Sequence, residues 1–109
     1  WLEMFVTKAD STDCTVGNVT FAPGVRNSWH SHPGGQILLC TSGEGRYQEK
    51  GKPVQVLKPG DVAKIAPYVV HWHRAAPDKE FTHVAIGTQV SKGPARWYEP
   101  VTDEEYYNK

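Results

Sequence analysis

Five histidines are the residues of this chain best suited to chemistry, and their spacing groups them. His30 and His32 are separated by one residue, as are His71 and His73, and side chains along a β-strand alternate between faces with a period of two. Each pair therefore presents two imidazoles to one side of its strand. Pro33-Gly34-Gly35 makes a turn after the first pair, so Gln36 opens the next apolar run and its amide can return to the same spot. His71 and His73 follow roughly one hairpin later and supply a fourth ligand-type group. The pattern points to a mononuclear metal site inside a β-barrel.

The elements that must hold these groups are short strands punctuated by Gly and Pro. Apolar or alternating runs at residues 2–7, 15–21, 36–41, 46–49, 54–57, 62–65 and 81–88 read as strands, with turns between them. Pro23-Gly24 leads into the histidine strand. The run at 36–41 is nearly continuous and is expected to be covered on both faces. In 81–88, Phe81, His83 and Ala85 share a face. The one helical signal is terminal: Thr102 before Asp103-Glu104-Glu105 resembles a capping box, with Tyr106 and Tyr107 to dock a short helix. The carboxyl run there suits a helix N-terminus, not a ligand set. Many short strands with one short C-terminal helix predict an all-β barrel or sandwich.

Composition narrows the partners. A chain of 109 residues, 39% hydrophobic, is expected to form a single domain with one core. Its 12 basic and 12 acidic residues cancel, which argues against nucleic acid or an anionic membrane and for a small molecule. No membrane-length apolar run and no secretory segment opens the chain, so a reducing cytoplasm is the expected location. The opening Trp1 is compatible with a fragment or processed chain, which leaves a preceding domain open. Cys14 and Cys40 lack the spacing of a disulfide framework or a CxxC site, and Cys40 is expected as a buried thiol. Arg26 and Arg74 are expected in solvent.

Gly24, His30, His32 and Gly43 lie at the spacing of the first cupin motif, with Gln36 where Glu is usual. Gly60, Pro67 and His71 fit the looser second motif, while Val69 and Ala75 depart from it. The chain therefore resembles a small single-domain cupin, a jelly-roll barrel, over residues 15–107. Thr20-Phe21, Trp29-His30, His71-Trp72-His73, Thr82-His83 and Val101-Thr102-Asp103-Glu104-Glu105-Tyr106 further resemble the bacterial manganese-dependent hydroxynitrile lyases. That cupin type is also found fused to carboxymuconolactone decarboxylase-like domains. The resemblance implies His30, His32, Gln36 and His71 as metal ligands, with Mn as the metal and Fe, Zn or Ni as alternatives. It implies His73 and His83 as the remaining active-site histidines.

Three imidazoles and one amide carry no negative charge, so a divalent ion would keep its Lewis acidity and be retained weakly. His73 is expected as the proton-transfer group and His83 as support for it or for cyanide. Trp29 and Trp72 alternate with ligand histidines and so are expected to pack away from the site, and Phe81 in the core. Three functions remain: a metal-dependent lyase on a small hydroxy-nitrile or aldol-type substrate, an Fe/O2-dependent oxidoreductase, and a non-catalytic binding module. Gln36 tilts against the second, and the two extra histidines against the third. Open sheet edges predict a homodimer, with a tetramer as the alternative.

Overall fold

The computed structural model describes residues 1–7 and 10–104. Along these residues run β1 (Leu2–Val6), β2 (Cys14–Phe21), β3 (His30–Ser31), β4 (Gln36–Gly43), β5 (Gly45–Glu49), β6 (Gln55–Leu57), β7 (Val62–Ile65), β8 (His71–Ala75), β9 (Phe81–Thr88) and β10 (Arg96–Trp97). A short 3-10 turn, Val90–Lys92, precedes β10. The strands form two antiparallel sheets, ordered β1-β2-β9-β4-β7 and β10-β3-β8-β5-β6, stacked as a jelly roll.

Alternation decides what each sheet buries. Leu38 and Cys40 of β4, Tyr47 of β5, Leu57 of β6, Ala63 and Ile65 of β7, Ala75 of β8 and Phe81 of β9 form the core between the sheets. The opposite face of β8 builds a second cluster, in which Trp72 meets Trp29 edge to face, ring centroids 6.1 Å apart, beneath Val101. The chain after β10 is held over this face by two backbone bonds, Tyr98 N–H to Trp29 C=O at 2.8 Å and Trp29 N–H to Glu99 C=O at 3.2 Å. The expectation that both tryptophans turn away from the histidines holds.

Four expectations change. The histidine strand is only two residues long, because the chain before it follows the second sheet through a single bridge between Arg26 and Arg74. In β4 only Leu38 and Cys40 are buried, whereas Ile37 and Leu39 on the outer face stay partly open, so the strand is covered on one side. Arg74 is 0% exposed, not solvated, and its guanidinium lies 3.6 Å above the Trp72 ring. It shares the outward face of β8 with Trp72. Arg26 pairs with Asp103 instead of standing alone in water. The predicted terminal helix begins at Asp103 and Glu104, and Glu105, Tyr106 and Tyr107 lie outside the described residues.

Candidate metal centre

The turn after His32 is what brings the ligand candidates together. Gly35 sits at φ 88°, a left-handed conformation suited to glycine, and a Cβ on Gly34 would fall 2.0 Å from the Thr88 carbonyl oxygen. This tight reversal lets Gln36 start β4 beside the histidines. His30 and His71 are directly paired across β3 and β8. The ligand atoms of His30, His32 and His71 all lie within 4.8 Å of one another, as a metal centre requires.

Hydrogen bonding fixes which nitrogens face inward. The Nδ1–H of His30 donates to the Ser28 carbonyl at 2.8 Å, and that of His71 to the Val69 carbonyl at 3.0 Å. A neutral imidazole carries one proton, so both Nε2 atoms present lone pairs. Burial, first of all, lowers the His30 pKa to about 4 and the His71 pKa to about 3, and it lowers that of His32, so these rings are neutral near pH 7. The Nε2 of His71 faces the Oε1 of Gln36 at 3.3 Å, and the Nε2 of His32 is buried without a hydrogen bond among the described residues. Lone pairs converging in this way are unfavourable unless a cation lies among them. His30, His32 and His71 are therefore placed to fit a metal ion, and the Gln36 amide oxygen stands beside them.

His73 and His83 form a second group behind the first. The His73 ring lies 5.6 Å from that of His30, 6.1 Å from that of His71 and 5.1 Å from that of His83, between the ligand set and His83. Phe21 stacks on His73 and Phe81 on His83. Burial pushes His73 well below the ordinary histidine pKa and lowers His83 to about 4. Asn27, which the sequence reading did not single out, distinguishes the two rings. Its Oδ1 accepts the His73 backbone N–H at 3.2 Å, which turns its Nδ2 donor toward the His73 Nε2 at 3.3 Å. His73 is thereby held with its proton on Nδ1. Neither ring nitrogen of His83 has a hydrogen-bond partner among the described residues.

Two more wall residues escaped the sequence reading. Tyr47 and Glu49 pair in register with His73 and His71, so they share the inward face, and the Tyr47 hydroxyl donates to the Glu49 carboxylate at 2.6 Å. That bond holds the Glu49 carboxyl below its usual pKa, and burial raises the Tyr47 phenol. On the solvent side, Trp97 of β10 stacks on His30 with centroids 4.5 Å apart while remaining 59% exposed. A cavity of about 310 Å³ opens beside His32 and Gln36, bounded by Thr15, Gly87, Val90 and Pro94.

Comparison with known proteins agrees with this picture. A family model described as a cupin domain matches residues 17–87. An (R)-mandelonitrile lyase from Granulicella tundricola is 46% identical over 89 residues, which cover 82% of this chain and 68% of that protein. A cupin-like protein from Thermotoga maritima superimposes with a TM-score of 0.94 at 56% identity, covering 97% of this chain and 80% of its own. The DMSP lyase DddQ of Ruegeria pomeroyi, at 21% identity and a TM-score of 0.72 over 83% of this chain and 45% of its own, shares the fold.

Proposed function

The chain belongs to the cupin family, and from that premise we propose that it is a metal-dependent lyase that splits a small α-hydroxy nitrile into a carbonyl compound and hydrogen cyanide. The observation that carries this reading is the pair of neutral, buried histidines, 5.1 Å apart, set behind three histidines placed for a metal. The 46% identity to a mandelonitrile lyase supports the choice of substrate class. We assign Mn(II) as the ion, held by His30, His32, Gln36 and His71. When bound, it supplies Lewis-acid polarisation of a hydroxyl or carbonyl oxygen.

The chain's own residues divide the remaining work. His83, neutral and with both ring nitrogens open, accepts the hydroxyl proton of the substrate. As the bond between the carbinol carbon and the nitrile carbon breaks, its electron pair leaves on cyanide and the carbonyl forms. The Nδ1–H of His73, fixed by Asn27, is the donor toward the departing cyanide, and His83 returns the proton to it. Phe21 and Phe81, packed on these rings, exclude water from the transfer.

The test is cleavage of mandelonitrile by protein reconstituted with Mn(II), with metal content measured in parallel. His73→Ala and His83→Ala should each lose about 10²- to 10⁴-fold in rate while retaining metal, and His71→Ala should lose the metal. Stoichiometric Mn with no cleavage by the parent protein would leave the metal centre standing and sink the lyase assignment.

A further inference from the structure

We propose that the cavity beside His32 and Gln36 receives the side group of the substrate, that it selects an uncharged group no larger than about a phenyl ring, and that Gly87 sets its depth. This rests on the lyase reading above and adds to it the part of the substrate that distinguishes one hydroxy nitrile from another.

Register places the cavity against the metal ligands. Thr15 of β2, Gly87 of β9 and Gln36 of β4 stand side by side across three adjacent strands, so all three use the same inward face. Any side chain at 87 would therefore stand between the Thr15 hydroxyl and the Gln36 amide. Glycine leaves that space empty. A Cβ built there would meet Thr15 Oγ1 at 2.6 Å and Val90 Cγ1 at 3.3 Å. A methyl group needs only a rotation of Thr15, and anything longer must grow into the cavity.

The remaining wall decides the chemistry of the guest. Val90, Pro94 and Ala95, from the segment joining the two sheets, supply an aliphatic side. The Thr88 hydroxyl is already committed, donating to the Gly34 carbonyl at 2.7 Å. Among the described residues, His32 is the one titratable side chain on the lining, and it belongs to the histidine cluster placed for a metal. With the carbonyl end of the guest toward the ligand set, a carboxylate at its far end would lie against the aliphatic side, lose its hydration and find no counter-charge among the described lining residues, which disfavours substrates carboxylated there. The volume of about 310 Å³ stands at the lower end of the roughly 300–1,000 Å³ typical of small-molecule sites, and so favours a single ring or short alkyl chain.

Saturation-transfer NMR with benzaldehyde, acetone and 4-carboxybenzaldehyde tests the pocket without requiring a metal. Relaxation of the same probes by bound Mn(II) tests its nearness to the ligand set. Benzaldehyde should bind the parent protein at least tenfold more tightly than 4-carboxybenzaldehyde. Gly87→Leu should weaken benzaldehyde at least tenfold while Mn content and the acetone signal persist, and Thr15→Phe should act alike if the glycine variant folds poorly. Unchanged benzaldehyde binding in both variants, or equal binding of the carboxylated probe, would overturn the proposal. If the parent fails to retain Mn, the metal reading falls while saturation transfer still decides the pocket. If the probes behave as expected and no hydroxy nitrile is cleaved, the pocket stands and the lyase reading falls.

Discussion

Asn27 makes two otherwise similar imidazoles chemically distinct. Its amide is aligned by the His73 backbone N–H, so its donor end meets the His73 Nε2 and the ring proton stays on Nδ1. Asn27→Ala should therefore slow mandelonitrile cleavage about 5- to 10-fold, as expected from losing a hydrogen bond worth about 1 kcal/mol, with metal content unchanged. Steady-state kinetics alongside metal analysis checks this, and an equal fall in metal content would mean that Asn27 serves the ligands instead. The five histidines were legible in the sequence because four of them form two pairs at strand spacing and all five fall on positions of the family resemblance. Asn27 was not, since its partner lies 46 residues away and an Asn beside Ser and Trp carries no spacing signal of its own. Tyr47 and Glu49 were hidden for a related reason: their role depends on being paired with β8, a fact of topology.

Strand β8 is the element on which both sides of the molecule depend. His71, His73 and Ala75 look into the barrel, while Trp72 and Arg74 look out, and all five are buried. A strand this short can be buried on both faces only because the segment after β10 closes over its outer side. Removing the Trp72 ring should cost about 3–5 kcal/mol, so Trp72→Ala is expected to lower the urea midpoint sharply. Because Trp72 lies between two site histidines, it should also weaken metal binding. Trp72→Phe, keeping an aromatic ring against Trp29, should recover much of both. The strands themselves were readable from alternation and Gly or Pro turns. The burial of Arg74 was not, because it depends on what packs over the outer face of β8, which is a matter of tertiary structure. An alternating strand with an Arg on its outer face ordinarily means solvent on that face.

At the scale of the whole molecule, the crowding of neutral histidines makes stability depend on pH. His30 and His83 titrate near 4 and His71 near 3 when folded, against 6.5 in a free chain. The unfolded chain thus takes up protons first on acidification. Folding stability contributed by these groups is fully present above pH 6.5 and is lost progressively as pH falls toward 4 and 3. Metal-free protein should show a steep fall in melting temperature across that window, and Mn(II) should delay it, because the ion competes with protons for the same lone pairs. A flat profile between pH 6.5 and 4 would mean that these rings take up protons as readily in the folded chain as in the unfolded one. The contact between Trp97 and His30 has a consequence of another kind. An indole lying 4.5 Å from a ligand ring and 59% exposed emits at long wavelength, and a paramagnetic ion on that ring drains its excited state. Trp29 and Trp72, packed behind the second sheet, emit further to the blue. Trp1, 71% exposed, shares the red edge with Trp97, so titrated Mn(II) should dim a part of that edge first, and Trp97→Phe should silence the response.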